Sequence, residues 1–260
     1  MSTATMNSAE PTTRRAWPMR LWLAAPDWFF QVFGALFAFA YFLSRAQKYW
    51  ETPFWELGPY CIFPNGYRLQ MPWVPLLVDL TFLLIALAFC FRIPPRTRAS
   101  NGWVISYTLL TGFTPLIPFW LSTFLGWWHE PWQRAYDSFL WRDSIGWQLA
   151  LAYGVIMTIG FSIEVWGYAW LRRSLSIVPE PRELYVTGPY RFVRHPIYLG
   201  QFFAQIGVWL IAAQLHVVSI GILVLFIAMQ LYRSKLEDRV LEQAFGENCR
   251  EWQEKTFWFV

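Results

Sequence analysis

Residues 188–200 read Gly-Pro-Tyr-Arg-Phe-Val-Arg-His-Pro-Ile-Tyr-Leu-Gly and place two Arg, two Tyr and one of only three His at the start of an apolar run. An imidazole and a phenol can each donate or accept a hydrogen bond, and a guanidinium binds anions. Further on, Arg233 and Glu237 stand at i and i+4, so they share one face of a helix. Each set has a plain reading. Tyr and Arg collect where helices leave a membrane, and an Arg–Glu pair at this spacing is an ordinary ion pair on a solvated helix end. The apolar runs between them alter the balance. Residues 197–213 and 217–231 are separated only by Gln214-Leu215-His216, which predicts a tight antiparallel helical hairpin. The start of the first run then lies beside the end of the second. His195, Tyr198, Arg233 and Glu237 converge at one membrane face, a set suited to holding a zwitterionic or charged small molecule beside lipid.

The elements that position these groups belong to a membrane protein. Hydrophobic residues make up 56% of the 260 and charged residues 15%, against about 25% charged in ordinary soluble domains. Six apolar segments are expected, at about 28–44, 74–91, 103–128, 145–171, 197–213 and 217–231, the last two near the lower length limit for spanning. The fold class predicted is therefore an all-α integral membrane protein of about six transmembrane helices, with a C-terminal helical hairpin and tail forming the site. Most of the 21 Lys and Arg fall on the side that holds the N-terminus, the 188–200 motif and the C-terminal tail. Only Arg45, Lys48, Arg68, Arg134 and Arg142 fall on the other, so the positive-inside rule predicts both termini and the site at the cytoplasmic face. The net charge of +4 then speaks of membrane orientation, and no nucleic-acid partner is expected.

Three domains are read: a disordered basic tail over 1–20, N-terminal membrane helices over 21–171, and a core over 172–260. Residues 45–73 and 129–144 read as long outer loops rich in Trp, Tyr and Pro, and Pro115 with Pro118 predicts a kink in the third segment. Asp79 and Glu164 lie within apolar runs, where carboxylates are expensive and often functional. An interfacial position is expected for Asp79, whereas Glu164 either lines a polar cavity or pairs with a neighbour. Cys61, Cys90 and Cys249 show neither metal-ligand spacing nor a disulfide framework, and no metal site is expected. No two of the 15 glycines stand at i and i+2, so the G-x-G-x-x-G dinucleotide loop is absent.

The pattern G-P-Y-x-x-V-R-H-P-x-Y-x-G, a short helical hairpin, then R-x-x-x-E-[DE] and F-G, resembles the isoprenylcysteine carboxyl methyltransferases and their phospholipid N-methyltransferase relatives. These are integral membrane enzymes that use S-adenosylmethionine without a dinucleotide-binding domain. The resemblance covers roughly residues 182–255. It implies that His195, Pro196 and Tyr198 contact S-adenosylmethionine, that Leu184, Tyr185 and Tyr190 line the same pocket, and that Glu237 holds the cofactor. It implies too that Arg233 faces the methyl acceptor. Departures from the family pattern are Asp238 in place of a second Glu, Cys249 in place of a Tyr, and a missing Pro near the end.

The reaction so implied is direct in-line displacement at the sulfonium methyl, releasing S-adenosylhomocysteine, with the protein supplying proximity and alignment. A carboxylate acceptor needs no general base and could be oriented by Arg233; an amine acceptor must give up a proton, with carboxylates or water as candidates. The leading expectation is a membrane methyltransferase acting on a lipophilic or lipidated acceptor that enters from the bilayer, by carboxyl O-methylation of the isoprenylcysteine type. Phospholipid N-methylation is the alternative. A scaffold retaining the motif, and a small transporter relaying through Glu164 and Asp79, are the non-methyltransferase readings, the latter disfavoured because no pair of broken, repeated segments occurs.

Overall fold

The computed structural model describes residues 25–259; the expected tail over 1–20, with Arg14, Arg15 and Arg20, lies outside the described residues. Among the described residues, five helices are long and apolar enough to cross a membrane: Asp27–Glu51, Trp73–Phe91, Gly102–Trp128, Trp147–Ser174 and Val217–Phe245. A sixth apolar run, Pro196–Ala212, is shorter. The protein is an all-α integral membrane protein.

Helix α1 (Asp27–Ala46) follows Pro26, with Asp27 favourably placed in the first turn, and leads into the single turn α2 (Lys48–Glu51). The region expected as a first outer loop is ordered further. Prolines and glycines, among them Gly58 and Gly66 at φ +83° and +82°, punctuate it into a 3₁₀ turn and a small antiparallel hairpin. The hairpin pairs β1 (Tyr60–Ile62) with β2 (Arg68–Gln70), Cys61 opposite Leu69. Helix α3 (Trp73–Phe91) returns across the membrane. The third segment is broken: α4 (Gly102–Phe113) passes through a 3₁₀ turn at Thr114–Leu116 into α5 (Ile117–Trp128). The cause is local, because Pro115 and Pro118 cannot donate to the helical ladder. The second expected loop is also a helix, α6 (Glu130–Leu140), which begins with Pro131 in its first turn, where the missing N–H costs nothing.

Helix α7 (Trp147–Leu171) is packed between α3 and α8 (Pro196–Ile206). Contact with α8 is close because both sides are glycine. A Cβ on Gly160 would lie 2.8 Å from the Gly200 carbonyl oxygen, and one on Gly200 2.6 Å from that of Gly160. Small residues permit such approach between helices in lipid, where packing rather than hydrophobicity drives association. A π-helical turn, Gly207–Ala212, ends this run. Helix α9 (Val217–Phe245) is one unbroken helix of 29 residues, which carries Arg233 and Glu237 on the same rod as the membrane segment. Helix α10 (Glu247–Lys255) follows.

Contacts sort the connections onto two faces. On one, Arg142 Nε donates to the Ala213 carbonyl, His216 Nε2 bonds the Phe139 carbonyl, and Gln214 reaches Ser138 and Trp141, so α6 caps the hairpin turn. On the other, Asp27 at the start of α1 pairs with Arg92 at the end of α3 (2.6 Å) and with Arg182 (3.5 Å). The Ile93 amide donates to the Arg173 carbonyl and the Arg96 amide to that of Pro181. This second face holds the site.

Asp79 is buried and structural. Arg45 Nε and Lys48 Nζ each lie 2.6 Å from its carboxylate, and the Tyr49 hydroxyl donates to it at 2.5 Å. It pins the end of α1 to α3. Glu164 is buried against Gly200 and forms no ion pair among the described residues.

Candidate active site

The motif folds as a 3₁₀ turn, Gly188–Arg191, then His195 as the non-helical residue before α8 and Pro196 at the first position of α8. Proline there is pre-set for a helix start and gives up only an amide the helix would not have used. Gly188 has φ +61°, and a Cβ on it would fall 2.3 Å from the Trp170 ring. Glycine is required twice over, by conformation and by space.

Around this start of α8 the charged groups form one network. Arg194 Nη1 donates to Asp238 Oδ2 at 2.9 Å, and His195 Nε2 bonds Asp238 Oδ1 at 2.8 Å. A carboxylate accepts, so Nε2 is the nitrogen that carries the hydrogen in that bond. His195 Nδ1 then faces Glu237 Oε2 at 3.7 Å. The Tyr198 hydroxyl donates to Glu237 Oε1, and Arg233 Nε donates to the same oxygen at 3.3 Å. Arg233 Nη2 donates to the Ile177 carbonyl at 2.7 Å, while Nη1 makes no hydrogen bond among the described residues. The His195 ring is stacked on that of Tyr198 (centroids 5.4 Å, 18°), and the Arg233 guanidinium lies over the other ring of the pair, Tyr198, at 5.5 Å.

The tail closes over the motif. Trp252 Nε1 donates to the Tyr190 carbonyl at 2.7 Å, and Trp258 Nε1 to Ser234 Oγ at 2.8 Å. The Arg194 amide donates to the Phe257 carbonyl and the Phe257 amide to that of Phe192. Cys249 is fully buried in a cluster with Tyr190 and Trp252, and burial pushes its thiol up to about 11. Burial likewise pushes the Tyr190 phenol well up, so it stays a neutral donor, aimed at the Gly167 carbonyl (3.5 Å).

Leu184, Tyr185, Tyr190, His195, Pro196, Tyr198, Arg233 and Glu237 all line one cavity of about 280 Å³. The hairpin brings the α8 and α9 groups together. The loop after α7 adds Leu184 and Tyr185, and is itself held by the pairing of Arg182 with Asp27 and Glu180. Sequence reasoning passed over Asp238, the residue that fixes both Arg194 and His195; its signal was the second acid of the R-x-x-x-E-[DE] pattern. It also missed Trp258, which lies against the His195 ring (5.0 Å), and nothing in its spacing pointed there. Glu164 is not among the residues lining the cavity.

Residues 147–248 match the family model described as phospholipid methyltransferase, within the grouping that the 188–200 motif resembles. No curated protein matches the chain. The matched stretch runs from the first residue of α7 to the start of α10, so it holds the motif, the hairpin and the Arg233–Glu237 pair. Together with the membrane-length helices, the match supports a membrane methyltransferase of lipid-type substrates.

Proposed function

We propose that the protein is an S-adenosylmethionine-dependent methyltransferase that methylates the carboxylate of a lipophilic acceptor, at the cytoplasmic face of the membrane, with both termini on that side. The carrying observation is Arg233: a buried guanidinium in the cavity wall with one nitrogen committed to Glu237, one to the Ile177 carbonyl, and Nη1 without a hydrogen bond among the described residues. Arg233 lines the cavity, which leaves Nη1 able to take a ligand, and a carboxylate is the partner that a guanidinium fits best.

The cavity suits the cofactor. S-adenosylmethionine is a cation at sulfur and a zwitterion at its amino-acid end; Glu237 offers a carboxylate, and Tyr185 and Tyr190 in the same lining offer rings of the kind that attract a cation. When bound, it supplies a methyl group already activated for transfer. Glu237 would hold it, with Tyr198 and Arg233 fixing the Glu237 carboxylate from two sides. Leu184, Tyr185, Tyr190, His195 and Pro196 complete the pocket, and Asp238 keeps His195 oriented without touching the ligand. Arg233 would orient the acceptor, so that one carboxylate oxygen bonds the guanidinium and the other attacks. No proton need be removed, because a carboxylate is already a nucleophile. The tail over the motif would exclude water from the transfer. The core of this assignment is residues 172–260, with 21–171 as the membrane helices that complete its walls.

Phospholipid N-methylation is the second reading, favoured by the description of the matching family model. An amine must lose a proton, and Glu180 and Glu183 line the same cavity. One experiment separates the two: membranes containing the protein or its Glu237→Ala variant are given methyl-labelled S-adenosylmethionine, and lipid-extractable label is split by base. Base-released label that depends on Glu237 is the expected result. Base-stable, Glu237-dependent label moves the assignment to the amine. Failure of both proteins to bind the cofactor sinks the enzyme.

A further inference from the structure

The matched stretch supplies only one wall of the cavity. The other wall comes from α1, α3 and α4, which lie outside residues 147–248. Every side chain these three helices give it is apolar, chiefly Phe33 and Phe37 of α1, Phe82 and Phe89 of α3, and Phe113 at the end of α4. The charged groups all come from beyond Leu171. One cavity with its ions at one end and its rings at the other has the form of an amphiphile. The rings also descend. Phe82 is nine residues from the end of α3 at Phe91, so at 1.5 Å per residue the aromatic wall reaches roughly 13 Å below that end. That is close to half of a hydrocarbon core about 30 Å thick. Phe33 lines the cavity and is also 63% exposed on α1, so the apolar end opens toward lipid.

Gly112 joins the two ends. A Cβ there would lie 3.3 Å from Arg233 Nη1 and 3.3 Å from Ile177 Cγ2. The bare backbone of α4 therefore leaves the free nitrogen of Arg233 accessible from the apolar side. Two residues later α4 gives way to the 3₁₀ turn at Thr114–Leu116, and the Phe37 ring meets Phe113 edge-on at 5.4 Å beside that break.

We propose that α1, α3 and α4 hold the hydrocarbon chain of the methyl acceptor, and that Gly112 sets how closely its anionic head approaches Arg233. Naming the occupant an acceptor rests on the methyltransferase reading above; the seating of a chain against the rings does not. A chain already dissolved in lipid gains little by transfer to an apolar wall. The wall therefore acts by shape: it selects among chains by length and branching, while the charged end selects the head.

The test uses the full chain in lipid nanodiscs and, as probe, palmitic acid carrying a diazirine on its chain. After photolysis, adducts are mapped by mass spectrometry. Adducts on Phe37, Phe82 and Phe113 are expected. Gly112→Leu should lower them by roughly fivefold or more through overpacking, leaving those on the lipid-facing Leu36 and Leu225 unchanged. Should that variant fail to assemble, Gly112→Ala meets the same two atoms at 3.3 Å and should lower them by about twofold. Adducts confined to lipid-facing residues, or inner adducts indifferent to both substitutions, overturn the proposal. Excess N-acetyl-S-farnesylcysteine or lysophosphatidylethanolamine then identifies the chain's source by which of them displaces the probe; displacement by neither also overturns it. S-adenosylmethionine affinity is measured in the same discs. Its absence in the unmutated protein defeats the methyltransferase reading, while the adduct map still decides whether the rings seat a chain.

Discussion

Asp238→Ala removes one carboxylate that receives two partners. Arg194 donates to it at 2.9 Å and His195 bonds it at 2.8 Å, and the three side chains are only 16%, 7% and 12% exposed for Arg194, His195 and Asp238 respectively. Truncating one member of a buried charged pair costs about 3–5 kcal/mol, because the partner's charge is left behind. The residual exposure places this case at the lower end, about 3 kcal/mol. For a chain of this size each kcal/mol moves the melting temperature by roughly 2–4 °C, so a thermal melt in detergent should fall by about 6–12 °C. Asp238→Asn keeps an acceptor oxygen for one partner and loses the charge, and should fall by about half as much. A purely structural role would stop there. Here the Nε2 bond also holds the His195 ring parallel to Tyr198, so release of the ring should weaken S-adenosylmethionine binding by about tenfold, or 1.4 kcal/mol. Titration calorimetry in nanodiscs reads that directly. An Asp238→Ala protein that melts within about a degree of the unmutated one and binds the cofactor equally well refutes the reasoning, because a bond at 2.8 Å would then position nothing.

Gly188→Ala and Gly246→Ala form a matched pair, at φ +61° and +56°. A sparsely populated positive-φ conformation costs an ordinary residue about 1–3 kcal/mol, and a Cβ on Gly246 meets nothing within 4 Å whereas one on Gly188 collides with Trp170. Thermal melts should show the Gly188 variant losing at least about twice what the Gly246 variant loses; equal losses would mean that the Trp170 ring moves freely. Asp79→Ala strips the common partner of Arg45, Lys48 and Tyr49 and should cost about 3–5 kcal/mol of stability. Cofactor affinity should stay within about twofold, since no residue of this cluster lines the cavity; a tenfold loss measured by calorimetry would show that the two faces are coupled.

How far these features could be read in advance depended on what the membrane does to a sequence pattern. The motif and the Arg233–Glu237 pair were legible because a three-residue connection leaves two antiparallel helices no choice but to lie side by side, so proximity followed from loop length alone. Asp238 was not: one residue on from Glu237 it is turned about 100° around the helix, and its role shows only in the placement of Arg194 and His195 against it. The regions 45–73 and 129–144 looked like loops because they are rich in Trp, Tyr and Pro, yet they fold into short ordered pieces, with Gly58 and Gly66 in the turns of the first and Pro131 at the helix start of the second.

The aromatic wall was illegible for a deeper reason. In a soluble protein an apolar stripe marks the side of a helix that faces the core, because the other side faces water. In lipid both sides are apolar, and Phe37, which lines the cavity, cannot be told from Leu36, which faces outward, by residue type. Charge survives as a signal because its cost in lipid is high wherever it lies unpaired. The half of the site that handles ions was therefore written in the sequence, and the half that handles hydrocarbon was not. This division coincides with the family match, which covers the charged end over 147–248 and leaves out α1, α3 and α4. On the reading proposed above, the charged end would carry the transfer, and the shape of the wall made by α1, α3 and α4 would choose the acceptor chain.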